Sequence, residues 1–220
     1  MSSELFARVA DMIFARGAFK FGDFRLKLHE KNPEAPLSPF YLNLRTSDNP
    51  KPGPLTEKDC VLIAELLWRK ILKSGLNFSA IAGIPNAGDP LVEAIEKVAA
   101  PPRGFRIIRL SKVVDGDKRK IIPQPGFDYR EGEKVLVIDD LITGADSKFE
   151  AIEAIEESGL KVVGLIVLVD REQGGRKQLE KAGYTLITAF TITELFNYYL
   201  EQGVITAKKH KECLTYLANN

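Results

Sequence analysis

At 220 residues, 45% hydrophobic and 28% charged, the chain can close one sizeable core and has none of the bias of a disordered or fibrous sequence. Its 31 basic against 30 acidic residues leave no net field to draw nucleic acid or a membrane surface, so neither is an expected partner. Two cysteines without metal-ligand spacing, an N-terminus unlike a secretion signal, and a longest apolar run of only residues 162–169 argue against a disulfide scaffold or a bilayer span, and predict a cytoplasmic protein.

Apolar spacing alternates between the helical period and short β-rich runs. In chain order it predicts a helix over 5–16, a proline-bearing surface stretch over 27–39 and a strand over 40–44. A helix over 56–73, a strand over 80–84, a helix over 90–99 and a strand over 105–110 come next. Residues 111–132 are polar and rich in Gly and Pro, and are expected to be mobile or to hold a flexible hairpin that lids a site. Strands over 135–138, 162–169 and 185–190 then alternate with helices over 147–158, 173–181 and 191–202, with Thr191 and Glu194 spaced as a capping box. The basic run Lys208, Lys209, His210, Lys211 reads as a solvated face. Strand–helix alternation at this pitch predicts the α/β class, a parallel sheet flanked by crossover helices on both faces.

One segment concentrates chemistry. Val135, Leu136, Val137 and Ile138 read as a buried strand, Asp139 and Asp140 as its end, and Thr143, Gly144, Ala145, Asp146 and Ser147 as a turn opening a helix. Small residues let the backbone approach a phosphate, and a helix N-terminus aims unpaired N–H groups at it. Adjacent carboxylates can accept from vicinal hydroxyls, directly or around a metal. Together these suit a phosphorylated ribose bound beyond the carboxyl end of a strand. The plainer alternative is a strand–turn–helix with Asp146 or Ser147 as N-cap.

This segment resembles the phosphoribosyl-diphosphate (PRPP) signature of the type I phosphoribosyltransferases. Four further segments resemble the orotate phosphoribosyltransferases in particular: residues 17–27, 38–45, 82–91 and 167–176, in the same order. The likeness runs from Phe6 to Phe196 and implies a single domain over 1–220, with residues 1–45 as a hood and 111–132 as a lid. It implies transfer from PRPP to orotate, giving orotidine 5′-monophosphate and diphosphate, with Mg²⁺ carried through PRPP and no protein metal ligand assigned. It also implies a homodimer. Asp139, Asp140 and Lys112 would be catalytic, with the two aspartates on the ribose hydroxyls. Thr143, Gly144, Ala145, Asp146 and Ser147 would cradle the 5′-phosphate, and Asn86, Ala87 and Gly88 would face the diphosphate. Lys27, Phe40, Tyr41, Thr143 and Arg171 would take the orotate. A guanidinium suits a planar carboxylate, although Arg171 could equally pair with Asp170 or Glu172. Strand neighbours face opposite ways, so either Phe40 or Tyr41 is expected in the core.

Two departures from the family pattern stand out. Leu110 and Val113 occupy positions where the family's lid carries lysines, and Asp115 stands where it carries histidine. Lys112, Lys118, Arg119 and Lys120 are the cations left to replace them. Asp146 puts a carboxylate in the phosphate turn, where at ~4 Å and an effective dielectric of about 20 each like-charge pair costs on the order of 4 kcal/mol unless the side chain turns outward. These departures keep two other readings open: a non-catalytic or regulatory homologue that binds a sugar phosphate or nucleotide, and a transferase for another base.

Overall fold

The computed structural model describes residues 2–30, 32–99, 104–115, 118–125 and 129–219. In chain order the elements are α1 (Ser2–Ala15), β1 (Phe19–Phe24), a short 3₁₀ turn (Lys27–Glu30), β2 (Ser38–Leu42), α2 (Glu57–Ser74), β3 (Ala80–Gly83), α3 (Asp89–Val98) and β4 (Arg106–Ile108). They continue as β5 (Leu110–Asp115), β6 (Lys118–Pro123), β7 (Lys134–Ile142), α4 (Asp146–Glu156), β8 (Lys161–Asp170), α5 (Gly175–Lys181), β9 (Leu186–Thr191), α6 (Ile192–Glu201) and α7 (Ala207–Ala218).

Five strands form one parallel sheet in the order β4-β3-β7-β8-β9. The chain starts at β3, steps outward to β4, then crosses back to build β7, β8 and β9 on the other side. The switch therefore falls between β3 and β7, where open α/β sheets bind ligands. The period-2 pattern of β7 divides two cores. Leu136 and Ile138 pack with α1, α2, α3, α6 and α7 on one face, while Val135 and Val137 pack with Ala151, Ile152 and Ile155 of α4 and Leu179 of α5 on the other. Capping boxes start α2 (Thr56 with Asp59) and α6 (Thr191 with Glu194), satisfying first-turn N–H groups.

Several expected boundaries are corrected. Asp139 and Asp140 do not end their strand: β7 runs on to Ile142, because β8 keeps pairing beyond the point where β3 stops, opposite Ile138. Neither Asp146 nor Ser147 is the N-cap. Ala145 holds that position without a side-chain cap, and Asp146 is the first helical residue. The strand expected over 105–110 ends at Ile108, and Leu110 opens the next element. Much of 111–132 is the antiparallel pair β5–β6, in register from Leu110↔Pro123 to Asp115↔Lys118, with Leu110 and Ile121 buried in the α4 core. Neither β1, which pairs with β2, nor α7, which packs on β2, was legible in the apolar pattern. Gly22 and Asp23 interrupt the alternation of β1, and α7 opens on charged residues. Among the described residues no helix is long and apolar enough to cross a membrane.

Candidate functional site

A cleft of about 670 Å³ opens at the switch point. Because β3 ends at Gly83, the chain turns away over 84–88 and leaves the last four residues of β7 open on that side. Gly88 seats this turn: a Cβ there would lie 2.3 Å from the Ile138 carbonyl oxygen and 2.5 Å from the Ile84 nitrogen, so a side chain would push the loop off β7. Asn86 and Ala87 then line the cleft.

Asp139, Asp140, Ser147 and Lys112 line the same cleft. Alternation sends Asp139 to the α4 face, where Lys148 Nζ donates to its Oδ2 at 2.7 Å. Asp140 turns the other way, toward the positive potential of Arg45. Burial, and then the Asp139 charge beside it, push the Asp140 carboxyl up to about 7, while Lys148 and Arg45 pull in the opposite direction. Asp89, at the start of α3, is also held up, to about 6, chiefly by burial; Arg109 and Lys112 oppose this, and Glu93 and Asp139 add to it.

Three residues that sequence reasoning passed over belong to this cleft. Arg45 and Lys51 lie on a loop closed on itself by Gly53 N–H to Thr46 O (2.9 Å), Leu55 N–H to Arg45 O (3.1 Å) and Asn43 Nδ2 to Pro52 O (3.0 Å), and both line the wall. Arg45 closes the 38–45 segment, where it was given no role of its own, and nothing in the sequence marked Lys51. Lys148 did carry a signal, because it shares the core-facing spacing of Ala151, Ile152 and Ile155 in α4, where a lysine is out of place.

The phosphate turn is partly prepared. The N–H groups of Asp146 and Ser147 are in the first turn of α4, where no intrahelical acceptor exists. The Ala145 N–H is engaged, donating to Gln178 Oε1 at 2.8 Å. Thr143 is half-buried, Gly144 exposed and Ala145 buried. Asp146 is exposed and, like Thr143, Gly144 and Ala145, does not line the cleft, of which Ser147 is the turn's one contributor; at the first position of α4 its carboxylate stabilises the helix dipole. Accordingly, Asp146→Ser is expected to change PRPP affinity by less than about threefold in titration calorimetry, since serine and aspartate are comparable at a helix start. A tenfold gain would place the carboxylate inside the site.

A second cluster lies beside the end of β8. The Arg171 N–H bonds to Ile142 O at 2.9 Å, joining the tips of β8 and β7. Its guanidinium carbon sits 5.3 Å from the centroid of the buried Phe40 ring, and Tyr216 of α7 packs edge-on against Phe40. Asp170 pairs with Arg176 instead (2.8 Å), and Glu172 accepts from Thr193 N–H. Arg171 Nε and one terminal nitrogen are consequently buried with no hydrogen-bond partner, and burial pulls the group below its ordinary pKa. Tyr41 turns to the opposite face, against Phe24. The Lys27 side chain and that of Asp115 lie outside the described residues, as do those of Lys118 and Arg119.

A 2-1-3-4-5 parallel sheet with an acidic strand, a small-residue turn and a helix start at its switch point defines an α/β sugar-phosphate-binding domain. The chain belongs to the phosphoribosyltransferase family: the phosphoribosyl transferase domain profile matches residues 57–196. It is 30% identical over 189 residues to an orotate phosphoribosyltransferase of Methanopyrus kandleri, covering 86% of this chain and 90% of that protein. It is 29% identical over 203 residues to the bovine (Bos taurus) uridine 5′-monophosphate synthase, covering 92% of this chain but 38% of the synthase. Among solved structures, the Leishmania donovani UMP synthase superposes with a TM-score of 0.74 at 26% identity, over 97% of this chain and 42% of that one. The chain thus spans well under half the length of the two synthases it matches.

Proposed function

We propose that this chain transfers the 5-phosphoribosyl group of PRPP to orotate, forming orotidine 5′-monophosphate and diphosphate in pyrimidine nucleotide synthesis. The observation that carries this reading is Arg171. A buried guanidinium with two nitrogens unpaired, lying over an aromatic ring at the end of the sheet that holds the acidic strand, is costly until a planar anion fills it. A ring carboxylate is such an anion, while Phe40 itself is fully buried and serves as the floor under Arg171 rather than as a contact for the base.

In this reading the ribose hydroxyls meet the acidic pair, and the 5′-phosphate meets the free N–H groups of 146 and 147. The diphosphate lies between the 86–88 loop and the cations Arg45, Lys51 and Lys112. The base nitrogen gives up its proton and forms a bond to C1′ as the bond from C1′ to the diphosphate oxygen breaks, the electron pair of that bond leaving with diphosphate. The chain's contribution is to align the two reactants and to hold charge around the developing cation and the departing anion. Lys112, exposed on β5, is the lid cation placed to contact the leaving group. Mg²⁺ would enter with PRPP, held by the diphosphate and the ribose hydroxyls. One domain over 1–220, with a hood over 1–45 and a lid over 111–132, completes the proposal, along with assembly as a homodimer. Two free, buried cysteines, with burial pushing the Cys60 thiol up to about 11, fit a reducing cytoplasm.

A second reading, a homologue that binds PRPP without transferring it, draws on the apolar lid positions Leu110 and Val113 and on Gln178 occupying the Ala145 N–H. Diphosphate release separates the two. With PRPP, Mg²⁺ and a panel of bases, release is expected with orotate. PRPP binding without release for any base would establish the second reading, and release with a purine alone would reassign the base.

A further inference from the structure

We propose that Lys148 is a positioning residue of the sugar-phosphate site: its ammonium ties Asp139 to the phosphate turn and neutralises it, leaving Asp140 to meet the ribose hydroxyls. The inference rests on the phosphoribosyl-transfer reading and divides the acidic pair, which that reading treats as a unit.

Lys148 is only 5% exposed, although it lines the cleft. Its Nζ donates to Asp139 Oδ2 at 2.7 Å and to the Leu141 carbonyl at 2.8 Å, and lies 3.4 Å from Ser147 Oγ. It therefore bridges three successive parts of the site: the acidic pair, the end of β7 and the turn. The other Asp139 oxygen accepts the Asp140 N–H at 2.9 Å. Both oxygens of Asp139 are engaged inside the protein. Asp140 differs, because its Oδ1 accepts the Leu141 N–H at 2.7 Å while Oδ2 has no partner among the described residues. Of the two carboxylates, Asp140 is the one with an oxygen that accepts from nothing among the described residues, while each Asp139 oxygen already holds one donor.

Electrostatics requires the same division. Asp139 and Asp140 stand side by side on the cleft wall where a polyanion is to bind, and Asp89 lies near enough to feel the Asp139 charge. An ammonium fixed beneath one of them removes a unit of negative charge from the site without entering the space the ligand needs. A buried pair of this kind is strongly destabilised when one partner goes, since the other is left charged and unpaired. That consequence distinguishes a charge role from mere packing.

The test is titration calorimetry with PRPP and Mg²⁺, and with ribose 5-phosphate, on wild type, Lys148→Met, Lys148→Arg and Lys148→Met combined with Asp139→Asn. Lys148→Met is expected to weaken PRPP binding by about 30-fold or more, and Lys148→Arg to keep it within about tenfold of wild type. The double variant removes both charges and should recover about tenfold of the loss, a non-additivity that packing alone does not produce. Unchanged affinity in Lys148→Met, or a double variant no better than the single one, would overturn the proposal. If Lys148→Met does not fold, the charge-balanced double variant carries the test, and complete loss of binding there overturns it. A wild type that binds neither probe overturns the phosphoribosyl reading along with this one. Wild-type binding with Lys148→Met unaffected overturns only the role of Lys148.

Discussion

Replacing Arg171 with methionine is expected to raise the orotate concentration for half-maximal rate by about 100-fold or more, leaving PRPP affinity within about threefold, since a desolvated charge pair broken on one side costs ~3–5 kcal/mol. Methionine keeps the unbranched apolar stem of the side chain and removes the guanidinium with its charge and donors. In the free protein those donors are buried and unpaired, so the same substitution should stabilise the fold. A rise in unfolding temperature of several degrees is expected for a chain of this size, where ~1 kcal/mol shifts the midpoint by about 2–4 °C. Orotate added to wild type should recover that stability and orotate added to the variant should not. An arginine serving only the fold would give the opposite pair of results: a lower melting temperature and an unchanged orotate requirement.

Asp140→Asn is the second large effect. A carboxyl acceptor with one free oxygen is lost, and PRPP affinity is expected to fall at least about tenfold. The pH dependence of stability gives an independent readout. Asp140 has a pKa of 3.8 as an ordinary side chain and is pushed up to about 7 in the fold. Between those values the folded state binds more protons than the unfolded one, so this group's contribution to stability falls as pH rises through that window. Burial is the largest cause of the shift; the Asp139 charge adds to it, and Lys148, the Leu141 N–H and Arg45 oppose it. Removing the ionisable group should therefore leave stability near pH 4 almost unchanged and increase it at pH 8. Chemical unfolding at the two values measures the difference, and equal stability of variant and wild type at pH 8 would mean that Asp140 is not held neutral by its surroundings.

The sequence by itself determined the layer architecture and the strand–turn–helix that carries the acidic pair. Strand-period and helix-period runs alternate, and that alternation leaves few arrangements other than a parallel sheet with crossovers, because each apolar face must be buried against its neighbour. The pair Asp139–Asp140 and the small-residue turn after it were legible because their backbone requirements are local, two carboxylates on a strand and a helix start, whereas the Gly88 loop was visible only through the family resemblance.

What the tertiary structure decided is everything that depends on which neighbour arrives from a distant part of the chain. The order of strands puts residues 84–88 beside β7, and nothing local specifies that order. Arg171 looked as ready to pair with Asp170 or Glu172 as with a ligand, until Arg176 and the Thr193 N–H took those carboxylates. Lys148 sat in plain view at a core-facing helical position. Only the packing of α4 against β7 turns that misplaced lysine into the partner of Asp139. A side chain's chemistry is set by its desolvation and its partners, and both come from the assembled fold.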